Sequence, residues 1–590
     1  MAWLCGSALA LACLALNRRV LDFGFLYLRD DDVNVTLNPH MGGIDLARLK
    51  WMFTDWSYVR RYIPLGWLNF SATYEFAGLD PRPYHAVALG LYVLNTGLVF
   101  ALVLHALRLF VPGGRAGGLT VWDAGAAALA AGWWALHPFR VETTAWISGN
   151  LYGQAVALLL ASLVAYLRTY LTAGRRRSAW LCLAAAGYSA SLLTYPVALG
   201  APFLLVGLDW LHARTPAGTP FRRLLAEKVV FFAPLAAVLA VTLAARFGNT
   251  EVFGAVPGMR ELPLASRIAQ SAYVAAYYVW KPWWPVGLSP LYDTLVDFSP
   301  LDPAFVLSTA AVAAVCALAL LSFRRRPALA AVWFGYLALA APFFGLTEKP
   351  HMASDRYGCF LNVIMAAVIA AGLARIAAPR ARAWASALSL AVVGVLAFLS
   401  WRQLAVWSDD RAQHAYVAAG IRNAELLDDF TSRQLILEFL RGDEKAASEA
   451  VAARLRIRPA AQGFLKAARI IADKQRISAY YGPVSYLAIL QERAGLAFAR
   501  AGETREADDH LEDALRLDSR FYQAAYDRSI VLLRLGRCED ALHSFLLSER
   551  WAPSGLTAEQ RRAFLGLLEK VSLAAGRPLL ASAARTAMAR

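Results

Sequence analysis

The sequence contains few charged residues and none of the motifs that mark common soluble enzyme sites. Only 17% of its 590 residues are Asp, Glu, Lys or Arg. Its six cysteines form no CxxC pair, which excludes the usual zinc spacing and gives no disulfide framework. It has no metal-ligand spacing, glycine-rich phosphate loop or Ser-His-Asp pattern. What remains to be interpreted is a large excess of apolar residues.

Apolar residues make up 58% of the chain, and the mean hydropathy is +0.43. Blocks of membrane-spanning length recur, which predicts an all-α, polytopic membrane protein. The net charge of +16 comes largely from short basic loops such as Arg175 to Arg177 and Arg324 to Arg326. Such loops between apolar blocks follow the positive-inside rule, so no nucleic-acid partner is predicted.

About eleven membrane-spanning helices are expected. All basic loops lie on one side if the aromatic-rich segment 268–302 does not cross the membrane. The chain then starts inside and ends outside, with four outer loops at 18–85, 137–151, 246–302 and 347–358. The predicted crossings are 2–17, 86–110, 120–136, 152–171, 179–194, 196–211, 228–245, 303–323, 328–346, 359–377 and 384–401.

After about residue 402 the composition changes to charged residues alternating with Ala and Leu at helical spacing. Gly502 and Gly536 lie 34 residues apart, and small and large apolar residues repeat at the same interval. This period is typical of tetratricopeptide (TPR) helical repeats. The sequence therefore predicts a membrane domain at 1–401 and a TPR-like α-solenoid at 402–590, on the outer side.

Three adjacent carboxylates lie in the first outer loop, in the stretch LRDDDVNVTLNPH that begins at Leu28. A solvated acidic turn is one interpretation. However, a carboxylate beside a bilayer is costly to desolvate and tends to be functional. Neighbouring carboxylates also raise each other's pKa, which suits a general base. Asp30 and Asp31 are therefore the candidate catalytic residues.

Basic and polar residues in the other outer loops complete the candidate site. Arg61, Lys281 and Arg356 are candidates for binding a lipid phosphate. The competing interpretations are a basic surface helix for the first loop and an ion pair with the adjacent aspartate for Arg356. A substrate-binding role is predicted for His85, His137, Glu142, His351 and Asp355. Carboxylates and cations at an outer membrane face suit group transfer from a lipid-phosphate donor.

The order of these motifs resembles that of a known family. The chain is similar to the transmembrane-and-TPR O-mannosyltransferases and their bacterial TPR-tailed relatives, which have the GT-C glycosyltransferase fold. The resemblance rests on Asp30-Asp31, Asn38-Pro39, Pro64-Leu65-Trp67, Gly78-Leu79-Pro81, Tyr84-His85, His137-Pro138-Glu142, Lys281-Pro285, Leu288 to Tyr292, and Asp355-Arg356-Tyr357. One departure is Asn150-Leu151-Tyr152, where the family usually has Arg-x-Asp.

This resemblance implies a polyprenyl-phosphate donor carrying mannose or another hexose, and a Ser/Thr hydroxyl of a protein as acceptor. It implies that Asp30 or Asp31 acts in catalysis, and that the repeats recruit the acceptor protein. Relatives within the wider fold differ in their need for metal, so no cofactor is assigned and a divalent metal remains open. The implied location is the bacterial inner membrane, with the site on the periplasmic side.

Three alternatives stay open from the sequence. In the first, the protein is a glycosyltransferase whose acceptor is a lipid or a cell-envelope glycan. In the second, the chain is an inactive membrane scaffold that binds proteins through its repeats. The third is a transporter, which is the weakest because few polar residues lie in the middle of the apolar spans.

Overall fold

A computed structural model gives the fold, and within its described part the regular elements are helical. The chain forms two compact units: Met1–Thr36 with His40–Asn423, and Leu37–Pro39 with Ala424–Arg590. The division thus falls after Asn423, beyond the composition change near residue 402. The structure describes residues 2–36, 38–111, 118–215, 218–248, 259, 262–296, 298–345, 353–423, 430, 434, 486–552 and 556–589.

The first unit is a helical bundle. In chain order its described α-helices are α1 (Ala2–Asn17), α2 (Leu46–Thr54), α3 (Pro64–Ala77), α4 (Pro81–Phe110), α5 (Val121–Ala135), α6 (Val141–Ala145), α7 (Asn150–Thr169), α8 (Gly174–Thr194), α9 (Ala201–Ala213), α10 (Phe221–Ala226), α11 (Val229–Gly248), α12 (Leu264–Trp280), α13 (Pro303–Ser322), α14 (Pro327–Ala340), α15 (Gly358–Ala374), α16 (Pro379–Leu404) and α17 (Asp410–Gly420).

Seven helical segments in the described part of the chain are long and apolar enough to cross a membrane. An apolar helix needs about 20 residues to span the hydrocarbon layer. The chain is therefore an integral membrane protein, as the composition predicts. The seven segments are Ala2–Asp22, Pro81–Phe110, Ile147–Thr169, Phe221–Phe247, Pro303–Ser322, Asp355–Ala374 and Pro379–Trp407.

Four further stretches expected to cross the membrane form helices that are either too short or not apolar enough to count among these seven. Helices α5, α9 and α14 have 15, 13 and 14 residues, which is short for a full crossing. Helix α8 has 21 residues but begins with three consecutive arginines, Arg175 to Arg177. The expectation of eleven crossings therefore stays a prediction.

Local sequence explains where several helices begin. Proline is the first residue of α3, α4, α13, α14 and α16. Its fixed φ suits the first helical turn, where its missing N–H would have no partner anyway. Helix α5 begins instead with a capping box, in which Thr120 and Asp123 each accept a hydrogen bond from the other's backbone N–H.

Small residues allow the helices at the centre of the bundle to approach closely. Ala126, Ala127, Ala130 and Ala131 on α5 are fully buried, and α5 packs against α1, α4 and α15. Helix α7 packs between α4 and α8. Helices α4, α5, α7 and α15 thus form a fixed frame, and the segments joined to α5, α7 and α15 carry most of the candidate site.

A buried ion pair holds together the C-terminal ends of α7 and α9. Lys228, just before α11, is 1% exposed, and its Nζ lies 2.7 Å from Oδ2 of the fully buried Asp209 on α9. The hydroxyls of Tyr166 and Tyr170 donate to Oδ1 of Asp209 at 2.6 and 2.5 Å. Two tyrosines and a lysine thus satisfy one carboxylate that is closed to water.

The described part of the second unit consists of helices that pack in pairs. They are α18 (Tyr486–Ala501), α19 (Thr504–Leu517), α20 (Tyr522–Arg534), α21 (Cys538–Trp551), α22 (Ala558–Ala574) and α23 (Pro578–Ala589). Each pair is joined by a glycine with positive φ: Gly502 at 84°, Gly536 at 74° and Gly576 at 70°. Any other residue would be strained there, which explains why glycine occurs at both positions that set the 34-residue interval, Gly502 and Gly536.

We expect removal of one partner of the buried ion pair to destabilise the protein strongly. Lys228→Met leaves the Asp209 carboxylate buried without its cation, which costs about 3–5 kcal/mol in such pairs. The double variant Asp209→Asn, Lys228→Met should recover most of this loss, because no charge remains. Arg223→Met is the control, since Arg223 is 67% exposed and its pair with Glu227 at 3.7 Å contributes little. The unfolding temperature in detergent measures each change. An equal loss in Lys228→Met and in Arg223→Met would contradict the expectation.

Candidate functional site

Four segments expected to form the outer loops meet at one end of the first unit. Asp31 in the first segment accepts hydrogen bonds from the backbone N–H and the hydroxyl of Ser148 in the second, at 2.8 and 2.6 Å. The second segment is joined to the third by the ring of His137, which bonds the carbonyl of Pro282 at 3.0 Å. The fourth joins through the ion pair described next.

Glu142 and Arg356 form this ion pair. Oε1 of Glu142 lies 2.7 Å from Nη1 of Arg356, and Oε2 accepts the backbone N–H of Arg356 at 2.8 Å. The side chains are 3% and 14% exposed. Arg356 therefore pairs across the site with Glu142, rather than with its neighbour Asp355. A carboxylate bonded by both a backbone and a side-chain donor fixes the guanidinium in orientation as well as in charge.

The guanidinium of Arg356 retains unused bonding capacity. Its carbon lies over the rings of Trp146, Tyr152 and Tyr357, at 5.7, 5.3 and 4.9 Å from their centroids. Its Nε is buried and has no hydrogen-bond partner among the described residues. A buried donor without a partner is rare in proteins, and such a donor on a cation is suited to an anionic ligand.

Asp355 is held by aromatic hydroxyls. Tyr277 and Tyr292, from the third segment, donate to its Oδ1 at 3.0 and 2.9 Å. The nearby Lys281 donates to the carbonyl of Val286 at 2.7 Å. Burial lowers the pKa of Lys281, and the carboxylate of Asp355 opposes this shift. The two charged candidates therefore interact, although each has its own hydrogen-bond partners.

Asp30 and Arg61 form a second ion pair, which is more open to solvent. Nη2 of Arg61 lies 2.8 Å from Oδ2 of Asp30, and the side chains are 25% and 30% exposed. Nη1 of Arg61 donates to Asn34 at 3.2 Å. Just before Arg61, Val59 and Arg60 have positive φ angles of 44° and 54°. Such strain costs on the order of 1–3 kcal/mol per residue and tends to occur at functional sites.

Asp31 has a different environment from its neighbour Asp30. It is fully buried, and it accepts hydrogen bonds from the N–H of Leu26 at 2.8 Å and from Ser148. Burial, with a small contribution from the charge of Asp32, raises the pKa of Asp31 to about 7, although the bonds from Ser148 and Leu26 oppose the shift. Of the two predicted catalytic residues, Asp30 is thus the one with an accessible carboxylate, and Asp31 connects two segments.

Tyr152 contributes to the surroundings of both guanidinium groups, those of Arg356 and Arg61. Its ring is 4.7 Å from that of Tyr195 and 5.3 Å from the guanidinium carbon of Arg356. Burial lowers the pKa of Arg61, but Tyr195, Asp30 and Tyr152 raise it, and the net shift is upward. The two ion pairs therefore belong to one polar site. Tyr152 is the last residue of Asn150-Leu151-Tyr152, the stretch that departs from the pattern of the resembled family. This departure is the signal in the sequence from which Tyr152 could have been named as a site residue.

His137 has a structural environment in this site. Its Nδ1 accepts the backbone N–H of Phe139 at 3.1 Å, so its Nε2 carries the proton that bonds Pro282. Burial and the charge of Arg140 lower its pKa to about 3, although the bond to Pro282 opposes the change. The ring is therefore neutral and both its nitrogens are occupied, which favours a positioning role over substrate contact.

The remaining predicted residues lie apart or outside the described ranges. His85 on α4 is fully buried, 3.4 Å from the carbonyl of Gly24, and its ring packs edge-on against Phe23. Within the described ranges, no hydrogen bond joins His85 to a charged candidate. His351 lies outside the residues that the structure describes, so its predicted role stays a prediction.

An apolar cavity of about 520 Å³ begins one helical turn away from the site. Val156 follows Tyr152 by four residues on α7, and Phe360 follows Arg356 by four residues into α15; both line the cavity. It continues between α4, α7, α9, α14 and α15, with Leu102, Leu160, Leu208, Val332 and Val368 among its lining residues. An apolar cavity next to an anion-binding group suits an amphipathic ligand with a charged head.

The acidic side chains described at the site are engaged by other protein groups. In the part of the chain that the structure describes, no three His, Cys, Asp or Glu side chains are grouped as metal ligands. Glu142, Asp30 and Asp355 instead accept hydrogen bonds from arginines or tyrosines. No step is therefore assigned to a metal.

Comparisons with protein-family models, with curated proteins and with solved structures give no match. The function must therefore be argued from the geometry of the site.

We expect Asp31 to make stability depend on pH. Its pKa is about 7 in the folded protein against 3.8 for an ordinary aspartate, so between these values the folded state binds the extra proton. Stability should therefore fall as the pH rises through about 7. In Asp31→Asn this fall in unfolding temperature between about pH 5 and about pH 8 should disappear. Asp80→Asn, at an exposed helix cap, is the control and should follow the wild type. A fall that persists in Asp31→Asn would assign it to another group.

Proposed function

We propose that this protein is a GT-C-type glycosyltransferase of the transmembrane-and-TPR O-mannosyltransferase kind. It moves a hexose such as mannose from a polyprenyl-phosphate donor to a Ser/Thr hydroxyl of an extracytoplasmic protein. In this proposal the membrane domain crosses eleven times, and its site and the TPR repeats lie on the outer, periplasmic side of a bacterial inner membrane. The motif order quoted above and the geometry of the polar site support it.

The observation that carries the proposal is the environment of Arg356. Its guanidinium is fixed by Glu142, has a buried Nε without a described partner, and lies one turn from an apolar cavity. A polyprenyl phosphate combines a phosphate with a long apolar chain. The phosphate accepts charge-assisted hydrogen bonds from the guanidinium, and the chain enters the cavity. Lys281 and Arg61 are the other two cations that this proposal assigns to the phosphate.

Asp30 is the proposed general base. Its carboxylate is partly exposed and held by Arg61, whereas that of Asp31 is buried and fully engaged. Asp30 takes the proton of the acceptor hydroxyl as its oxygen bonds to the anomeric carbon of the sugar. The bond from this carbon to the phosphate oxygen breaks, and the electron pair leaves with the polyprenyl phosphate. Arg356 and Arg61 stabilise the negative charge on the leaving phosphate.

The paired helices of the second unit support a role for the repeats in recruiting the acceptor. In α19 and α21 the residues Ala507, Leu511, Ala541 and Phe545 are buried, as the 34-residue interval predicts. TPR repeats bind extended or helical segments of other proteins. Attached to the membrane domain, they raise the local concentration of an acceptor protein.

We expect Asp30→Asn to lower sugar transfer roughly a hundred- to ten-thousand-fold, as loss of a general base does. The assay uses purified protein in lipid, a polyprenyl-phosphate hexose and a Ser/Thr-rich peptide. Asp45→Asn is the matched control, because Asp45 is an exposed carboxylate in the same segment that caps α2 and pairs with Arg48. Its activity should equal that of the wild type.

The same assay separates the rival functions. Full activity of Asp30→Asn would refute the assignment of the base. Transfer to lipid or glycan acceptors, with none to peptides, would retain the enzyme and change its acceptor. Absence of transfer from several donor sugars to every acceptor would favour the inactive scaffold that binds proteins through its repeats.

We expect Arg356→Lys to raise the donor Michaelis constant much more than the acceptor constant. Lysine keeps the charge but lacks the forked donors that bond Glu142 and a phosphate together. Each charge-assisted bond contributes about 1.5–3 kcal/mol, so a ten- to hundredfold change in the donor constant is expected. Arg82→Lys, at an exposed arginine of α4, is the control. An unchanged donor constant would limit Arg356 to its structural pair with Glu142.

A further inference from the structure

The segment that follows the last membrane helix contacts the candidate site on two sides. After α16 the chain forms a short turn at Ala405–Trp407 and then α17, which ends at Gly420. This exit segment, residues 405–423, belongs to the first unit, and the chain continues from Asn423 into the second. Neither the motifs nor the proposed chemistry gives it a role.

The first contact holds the segment that carries Asp30. Oδ1 of Asp410, at the start of α17, accepts the backbone N–H of Leu28 at 2.9 Å, and Asp410 is 1% exposed. The next residue, Arg29, places its guanidinium carbon 5.5 Å from the ring centroid of Trp407 and donates to the carbonyl of Pro290. The exit segment thus contacts the two residues directly before Asp30.

The second contact holds the segment that carries Tyr292. Oδ2 of Asp293 accepts the backbone N–H groups of Arg422 and Asn423 at 2.7 and 3.1 Å. The preceding residue, Tyr292, is one of the two tyrosines that donate to Asp355. The exit segment is therefore bonded one residue away from a group that orients Asp355.

A third observation places α17 itself near the site. Tyr416 lies two turns after Asp410, and its pKa is raised by burial and further by the carboxylate of Asp355. The side chain of Gln413, one turn before it on the same helix, is fully buried. The segment therefore bonds the site loops at the start of α17, through Asp410, and just beyond its end, through the backbone N–H groups of Arg422 and Asn423.

We propose that Asp410 and Asp293 are positioning residues, through which the exit segment fixes the placement of Asp30 and Asp355 for transfer. The proposal rests on the glycosyl transfer proposed above. It adds a regulatory route, because a change in the chain at Arg422 and Asn423 reaches one site segment through Asp293, and a shift of α17 reaches the other through Asp410. A displacement of about 1 Å is enough to lower a rate about a hundredfold.

The test compares Asp410→Ala, Asp410→Asn and Asp409→Ala in the full-length protein. Asp410→Asn keeps an oxygen that accepts from Leu28. Asp409 is the matched control, because it caps the same helix by accepting from Ala412 at 2.9 Å and is exposed to solvent. Two readouts are used: hydrogen–deuterium exchange of residues 23–36 and 286–296, and the kinetics of transfer.

In Asp410→Ala we expect exchange at residues 23–36 to be about tenfold faster, because a buried N–H loses its acceptor. We expect kcat to fall about ten- to a hundredfold, with the donor Michaelis constant changed less than about threefold. Asp410→Asn should restore both, and Asp409→Ala should change neither.

The outcomes separate this proposal from the proposed function. Unchanged exchange in Asp410→Ala, or equal changes in Asp409→Ala, would overturn the positioning role whether or not transfer occurs. Faster exchange with unchanged kcat would also overturn it. If the wild type transfers no sugar, the proposed function fails. Faster exchange in Asp410→Ala would then show that the bond from Asp410 orders the Leu28 segment, but it would overturn the role of Asp410 in transfer.

Discussion

The ion pair between Glu142 and Arg356 is the interaction on which the arrangement of the site depends. A guanidinium at the end of a membrane helix is costly to bury unless a carboxylate accepts from it. Glu142 does so while it also bonds the backbone N–H of Arg356, at 2.7 and 2.8 Å. Because the two residues come from segments more than two hundred positions apart, this pair fixes the ends of α6 and α15 together.

The three adjacent aspartates show how environment divides the roles of identical residues. Asp31 is closed to solvent and joins two segments through Leu26 and Ser148, whereas Asp30 is 30% exposed and paired with Arg61. Asp32, also buried, begins the π-helical turn Asp32–Thr36. Such turns often occur at functional sites, because the extra residue rotates the chain and changes which side chains face the ligand.

Part of this could be read from the sequence. The apolar blocks predict the seven long helices, and the spacing of Gly502 and Gly536 predicts the turns between paired helices. The segments carrying Asp31, Glu142 and Arg356 were expected to meet, and they do. The partner of Arg356 was not predictable, because Asp355 is adjacent in sequence and only the fold brings Glu142 near. Burial, which separates Asp30 from Asp31, is likewise a property of the packed chain, not of neighbouring residues.

The exit segment also determines how the two units can be separated or exchanged. The composition changes near residue 402, and a boundary drawn there would remove the acceptor for the Leu28 N–H and both donors to Asp293. The membrane unit therefore ends, in a functional sense, at Asn423, where the first compact unit also ends. A different helical unit can be joined to the membrane unit behind this junction without loss of those bonds. A junction of this kind leaves the C-terminal unit free to be altered while the bonds between the exit segment and the site segments are kept.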